Sequence, residues 1–99
     1  MEFHEMVIGI LEVTLAVPAA SLKEKRSVIK RIVNRSRNKF NVSAAEVEAQ
    51  DHLGSAVLGF TTVGNDARYL RSTLDKLLNF IEALYLAEIV DHELTTEHY

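Results

Sequence analysis

The sequence contains no cysteine. That excludes disulfide scaffolds, thiolate zinc sites, iron–sulfur clusters and cysteine nucleophiles. Long apolar runs are also missing. The longest nearly apolar stretch, Met6 to Val17, is interrupted by Glu12 and Thr14 and is too short to span a bilayer. It lacks the basic start and small-residue cleavage site of a secretory signal, so the expectation is a cytoplasmic protein without a membrane partner. Catalytic patterns are absent too. There is no HExxH, no pair of histidines at helical spacing and no GxSxG serine. Gly64-Asn65-Asp66 lacks the glycines and lysine of a phosphate loop and reads as a helix start. The carboxylates have no calcium-loop spacing. His4 and His98 lie near the ends, His52 beside Asp51 in a turn with no nucleophile to serve, and His92 at a half-buried packing position. The expectation is a non-enzyme with no metal and no cofactor.

What is present is 99 residues, 47% of them hydrophobic. That makes one domain, too apolar for disorder. The formal charge of −3 conceals a segregation. Leu22 to Phe40 holds eight basic residues and one acid, a local balance of +7, and the rest of the chain holds three basic residues and thirteen acids, −10.

Met1 to Glu5 reads as a loose lead-in. Val7 to Val17 alternates with period two and β-branched residues, which predicts a strand ended by Pro18. Ser21 with Glu24 forms a capping box for a helix whose apolar stripe runs through Leu22, Ile29, Val33, Ser36 and Phe40, closed at Asn41. Period two returns over 42–50, with Ser43, Ala45, Val47 and Ala49 on one side and Glu46, Glu48 and Gln50 on the other. A turn over 51–54 leads to a strand over 55–63, and together these predict a hairpin. Asn65 or Asp66 caps a second helix, which ends near Leu86. Ala87 to Thr95 reads as a last strand and 96–99 as a loose tail. The order strand, helix, strand, strand, helix, strand predicts an α+β ferredoxin-like βαββαβ sandwich, a four-stranded antiparallel sheet with both helices on one face.

Several stretches carry a resemblance. Ser21-Leu22-Lys23-Glu24-Lys25-Arg26-Ser27, Arg37 to Ser43, Ala45-Glu46-Val47, Ala56 to Gly59, Asn65-Asp66 and Phe80-Ile81-Glu82 resemble the YlxP-like family of small bacterial proteins (domain of unknown function 503). The resemblance spans nearly the whole chain and implies the ferredoxin-like fold and a bacterial origin. Genes of that family often neighbour those for transcription-elongation, translation-initiation and ribosome-maturation factors, which implies work near RNA or the ribosome. The family supplies no catalytic residues. His52-Leu53 stand where its pattern often has an aromatic.

The first helix is the main candidate site. At roughly 100° per residue, Lys23, Arg26, Lys30 and Arg37 fall within about 60° of one another, flanking the apolar stripe. Arg31 and Arg35 continue the charge around the solvent side. Lys25 and Lys39 fall on the stripe's other flank at the helix ends, where long stems are expected to reach water. A single-sign ridge of this kind suits phosphates. Solvation of an ordinary amphipathic helix and pairing with acids are the competing readings.

The open sheet face is the second candidate. With Val47 facing the helices, Glu46 and Glu48 lie on that face beside Glu12, with Ile8, Ile10 and Ile89 as exposed apolar residues. Asp91 and Glu93 join them if Val90 and Leu94 are core. The central strands lack the aromatics of a sheet-stacking RNA module. The exposed isoleucines predict a protein interface or a homodimer. The functional expectation is an RNA- or ribosome-associated protein docking through the basic helix. The alternative is a dimeric small-ligand regulatory or protein-interaction module.

Overall fold

The computed structural model describes residues 5–99, so residues 1–4, with His4 and most of the expected lead-in, lie outside the described residues. Six elements follow in order: β1 (Val7–Ala16), α1 (Leu22–Lys39), β2 (Ser43–Glu48), β3 (Ser55–Gly64), α2 (Ala67–Ala83) and β4 (Glu88–His98). They form one antiparallel sheet in the order β2-β3-β1-β4, with β1 and β3 central. α1 packs over β2, while α2 packs over β1 and β4. This is the ferredoxin-like arrangement that the element order predicts.

The helix starts match their sequence signals. The Ser21 hydroxyl accepts from the Glu24 amide, and the Glu24 carboxylate accepts from the Ala20 amide. Asp66, not Asn65, caps α2 by accepting from the amides of Arg68 and Tyr69. α2 ends at Ala83, three residues before the expected Leu86, because Tyr85 turns the chain into the left-handed region with φ 55°. That is the conformation that usually follows a helix end.

The core lies between the sheet and the helix layer. Leu11, Val13 and Leu15 of β1 and Leu58 and Phe60 of β3 are fully buried against Ile29 and Ile32 of α1 and Leu74, Leu77 and Ile81 of α2. Gly9 occupies the one point on the inner face of β1 without a side chain. A Cβ there would stand 3.0 Å from Leu74 Cδ1 and 3.2 Å from Thr62 Cγ2, so the glycine admits α2 to the sheet.

The expected loose tail is instead ordered strand. Thr96 pairs with Gly9 and His98 with Val7, and the Tyr99 amide donates to the Met6 carbonyl. The period-two run Leu94, Thr96, His98 continues across that boundary, but its polar content hides it. On an edge strand with one solvated face, ladder hydrogen bonds hold residues that have little apolar surface to bury.

Candidate functional site

Capping at Ser21 starts α1, and the stripe that meets the sheet is Lys25, Ile29, Ile32 and Ser36, spaced by four, three and four residues. This fixes where the cations point. Lys23, Arg26, Lys30, Arg31, Arg35, Arg37 and Lys39 are all exposed. Lys23, Arg26, Lys30 and Arg37 form one ridge of about 21 Å along the helix, taking 1.5 Å per residue. Its C-terminal end lies beside the free edge of the sheet, where Arg37 lines a depression with Val42, Ser43 and Ala44. Lys39 lies toward the other helix, with Nζ 5.8 Å from the centre of the Phe80 ring. Phe80 also meets Phe40 edge to face, at 5.6 Å between centroids.

Lys25 departs from the sequence expectation. It is 1% exposed and does not reach water. Its Nζ donates to the carbonyls of Ala49 (2.6 Å) and Gln50 (3.4 Å) and lies 3.1 Å from Glu46 Oε2. The contact with Glu46 is an ion pair without hydrogen-bond alignment. The correction has a clear cause: Lys25 lies on the buried stripe itself, and β2 with the turn that follows it supplies three oxygens beneath it. The lysine is therefore removed from the cationic surface. Among the described residues, the contacts between basic and acidic side chains are the Lys25–Glu46 ion pair and the His98–Glu5 contact. The seven exposed cations of α1 thus have no carboxylate partner among the described residues.

The sheet's outer face corrects three further expectations. Glu46 does not lie on it. Its cross-strand partner is Leu58, which faces the helices, so Glu46 points inward to Lys25. Val47 takes the outer face instead, seated over Gly59, where a Cβ would stand 3.1 Å from Val47 Cγ1. A register shift between Glu46 and Glu48 then places Glu48 opposite Val57, also on the outer face. Ile89 is likewise inside, opposite Leu15 and packed on the core, because a second register shift near Val90 breaks the period of β4. His92 is exposed, not half-buried.

Ile8, Ile10, Glu12 and Glu48 do lie on the outer face as expected. With Val90 expelled by the bulge and Leu94 inside, β4 adds Asp91 and Glu93. It also adds Glu88 and Glu97, opposite Ala16 and Ile8. The sequence pattern does not show these two, because one lies beyond the bulge and the other in the polar C-terminal stretch. Glu12 and Glu93 stand directly opposite each other. All eleven Lys and Arg belong to the two helices, so the outer face of the sheet holds carboxylates and no Lys or Arg.

No group of three or more potential ligands capable of holding a metal occurs among the described residues. None of their helices is long and apolar enough to cross a membrane.

Comparison with known proteins places this geometry. Over nearly the whole chain the fold is similar to the de novo designed protein Foldit4, with a TM-score of 0.50, 16% identity and coverage of 97% of both chains. It is also similar to LarC2, the C-terminal domain of a cyclometallase involved in synthesis of the NPN cofactor of lactate racemase. There the TM-score is 0.52 at 11% identity, covering 97% of this chain and 58% of that one. At such identities these likenesses show the fold alone. The uncharacterised protein YlxP of Bacillus subtilis (strain 168) is 42% identical over 65 residues, which cover 66% of this chain and 71% of that protein. The model of the family described as "Protein of unknown function (DUF503)" matches residues 8–94. By that match and the similarity to YlxP, the chain belongs to the DUF503 family.

Proposed function

We propose that this protein is a non-catalytic, cytoplasmic, RNA-associated factor that docks on phosphates through the exposed face of α1. The observation that carries the reading is the row Lys23, Arg26, Lys30 and Arg37, extended by Arg31 and Arg35, all exposed and without a carboxylate partner among the described residues. Like charges at helical spacing repel. A partner that supplies phosphates removes that repulsion, releases counterions and leaves base identity unread. The fit is to backbone and shape, since the outer sheet face has no aromatic platform and bears carboxylates that repel a polyanion.

Binding of a fluorescent single-stranded RNA, followed by anisotropy against salt, tests the proposal. Neutralisation of about five phosphates gives a slope of log K against log salt near −3.5. Replacing Lys23, Arg26, Lys30 and Arg37 together with glutamine removes exposed charges only. The variant keeps the far-ultraviolet spectrum and melting temperature, while each lost contact lowers the slope by about 0.7. Full affinity in that variant, or a salt-independent affinity in the parent, refutes the proposal.

A further inference from the structure

The outer face of the sheet combines two properties that an idle solvated surface does not need together. One is smooth apolar area. Ile8 of β1 pairs with the exposed Val63 of β3, Ile10 follows opposite Thr61, and Val47 lies flat over Gly59, half exposed. The other is an acidic border along the β4 edge, formed by Glu88, Asp91, Glu93 and Glu97, with Glu12 beside it. No Lys or Arg interrupts the face, although the chain has eleven of them. Glu12 and Glu93 are held as a cross-strand like-charge pair, an arrangement that weakens a sheet.

We infer that this face binds a basic amphipathic helix of a partner protein, with the helix's apolar stripe on β1 and β3 and its basic flank along β4. Three considerations select this occupant. Charge excludes phosphate-bearing ligands and favours cations. It also excludes a two-fold pair of these faces, which would bury the carboxylates of both copies with no base on either side. The remaining self-contact, α1 of one copy on the sheet of another, fails on the apolar side. The exposed surface of α1 presents cations and asparagines but no apolar stripe to cover Ile8 and Ile10. The dimensions agree as well. Carboxylates two residues apart on a strand, such as Asp91 and Glu93, are about 6.8 Å apart. Basic residues four apart on a helix are about 6 Å apart, so one helix flank runs in register with the β4 row. Strands of 10, 6, 10 and 11 residues offer roughly 600 Å², approaching the ~800 Å² one partner contributes to a stable complex.

The test uses the full chain, labelled with ¹⁵N, and a synthetic helical peptide of about 18 residues, ~27 Å long. The peptide carries a leucine stripe flanked on one side by lysines at four-residue spacing, and its control has glutamate at every lysine. The expected result is saturable binding of the basic peptide, with amide shifts confined to β1, β3 and β4, and none of the acidic one. The double variant Asp91→Lys, Glu93→Lys, which relieves a like-charge pair and so leaves the fold intact, lowers affinity at least tenfold. The α1 glutamine variant binds the peptide as the parent does. Equal binding of both peptides, shifts on the helix layer, an unaltered affinity in the double variant, or no binding at millimolar peptide overturns the inference. So does a concentration-dependent dimer that the α1 glutamine variant abolishes, since the occupant would then be a second copy.

Discussion

Replacing Lys25 is the sharpest perturbation the structure offers, because one side chain serves three oxygens beneath α1. Lys25→Met keeps most of the buried stem and removes only the charge and its donors. Glu46, whose side chain is 17% exposed, then loses its counter-charge. Breaking a buried pair from one side costs about 3–5 kcal/mol, and the partial exposure of Glu46 places this case near the lower figure. The turn suffers as well. Ala49 is held at φ 66°, a region that disfavours residues with a Cβ. Its carbonyl keeps only the His52 amide once Nζ is gone. Lys25→Ala also removes three buried methylenes, at about 0.8 kcal/mol each. A domain of this size is stable by about 5–15 kcal/mol, so the alanine variant stands near the limit of folding. The assay is urea unfolding followed by circular dichroism, with an unchanged m-value as the sign that only stability moved. A loss of ~3 kcal/mol lowers the melting temperature by roughly 12–24 °C. The decisive measurement is the cycle with Glu46→Leu. Lys25→Met with Glu46→Leu replaces the pair by apolar groups, so the double variant stays within about 1 kcal/mol of the parent, at least ~2 kcal/mol better than the sum of the single losses. If Lys25→Met costs less than about 1 kcal/mol, or the two losses simply add, the ion pair does not hold α1 to β2 and the reasoning fails.

Three further outcomes follow from backbone geometry. Gly9→Ala crowds Leu74 and Thr62 in the central strand and costs about 1–3 kcal/mol by chemical denaturation. Gly54→Ala meets nothing within 4 Å and needs no positive φ, so it raises stability by about 0.4–1 kcal/mol through the unfolded state. Tyr85→Gly relieves a left-handed residue whose side chain is 90% exposed, and calorimetry should show a gain of about 1 kcal/mol, equivalent to a rise of roughly 4–8 °C.

The amino-acid sequence by itself determined the fold class. Period-two runs at 7–17 and 55–63, two amphipathic helices with cap residues, and the order of elements leave the split βαβ sandwich as the arrangement that packs both apolar helix faces on one sheet. It also determined that α1 bears a single-sign ridge, since Lys23, Arg26, Lys30 and Arg37 share a face by helical geometry alone. Periodicity, however, says which residues share a side and not which side is inside. β2 is the example: its alternation places Glu46 opposite Val47 but leaves the choice of face open. Lys25 from a helix twenty-one positions away and the hollow at Gly59 decide it, by providing a counter-charge on one side and space on the other. The same holds for Ile89, Glu88 and Glu97. Bulges and edge pairing depend on the neighbouring strand, so no local pattern reveals that Glu88 and Glu97 join Asp91 and Glu93 on the outer face while Ile89 turns inward. Helical cations are legible because a helix carries its own geometry. The full acidic row of β4, with Glu88 and Glu97, and the buried Lys25 became visible only in the tertiary structure, because burial of a charge and the register of a strand are set by what packs against them.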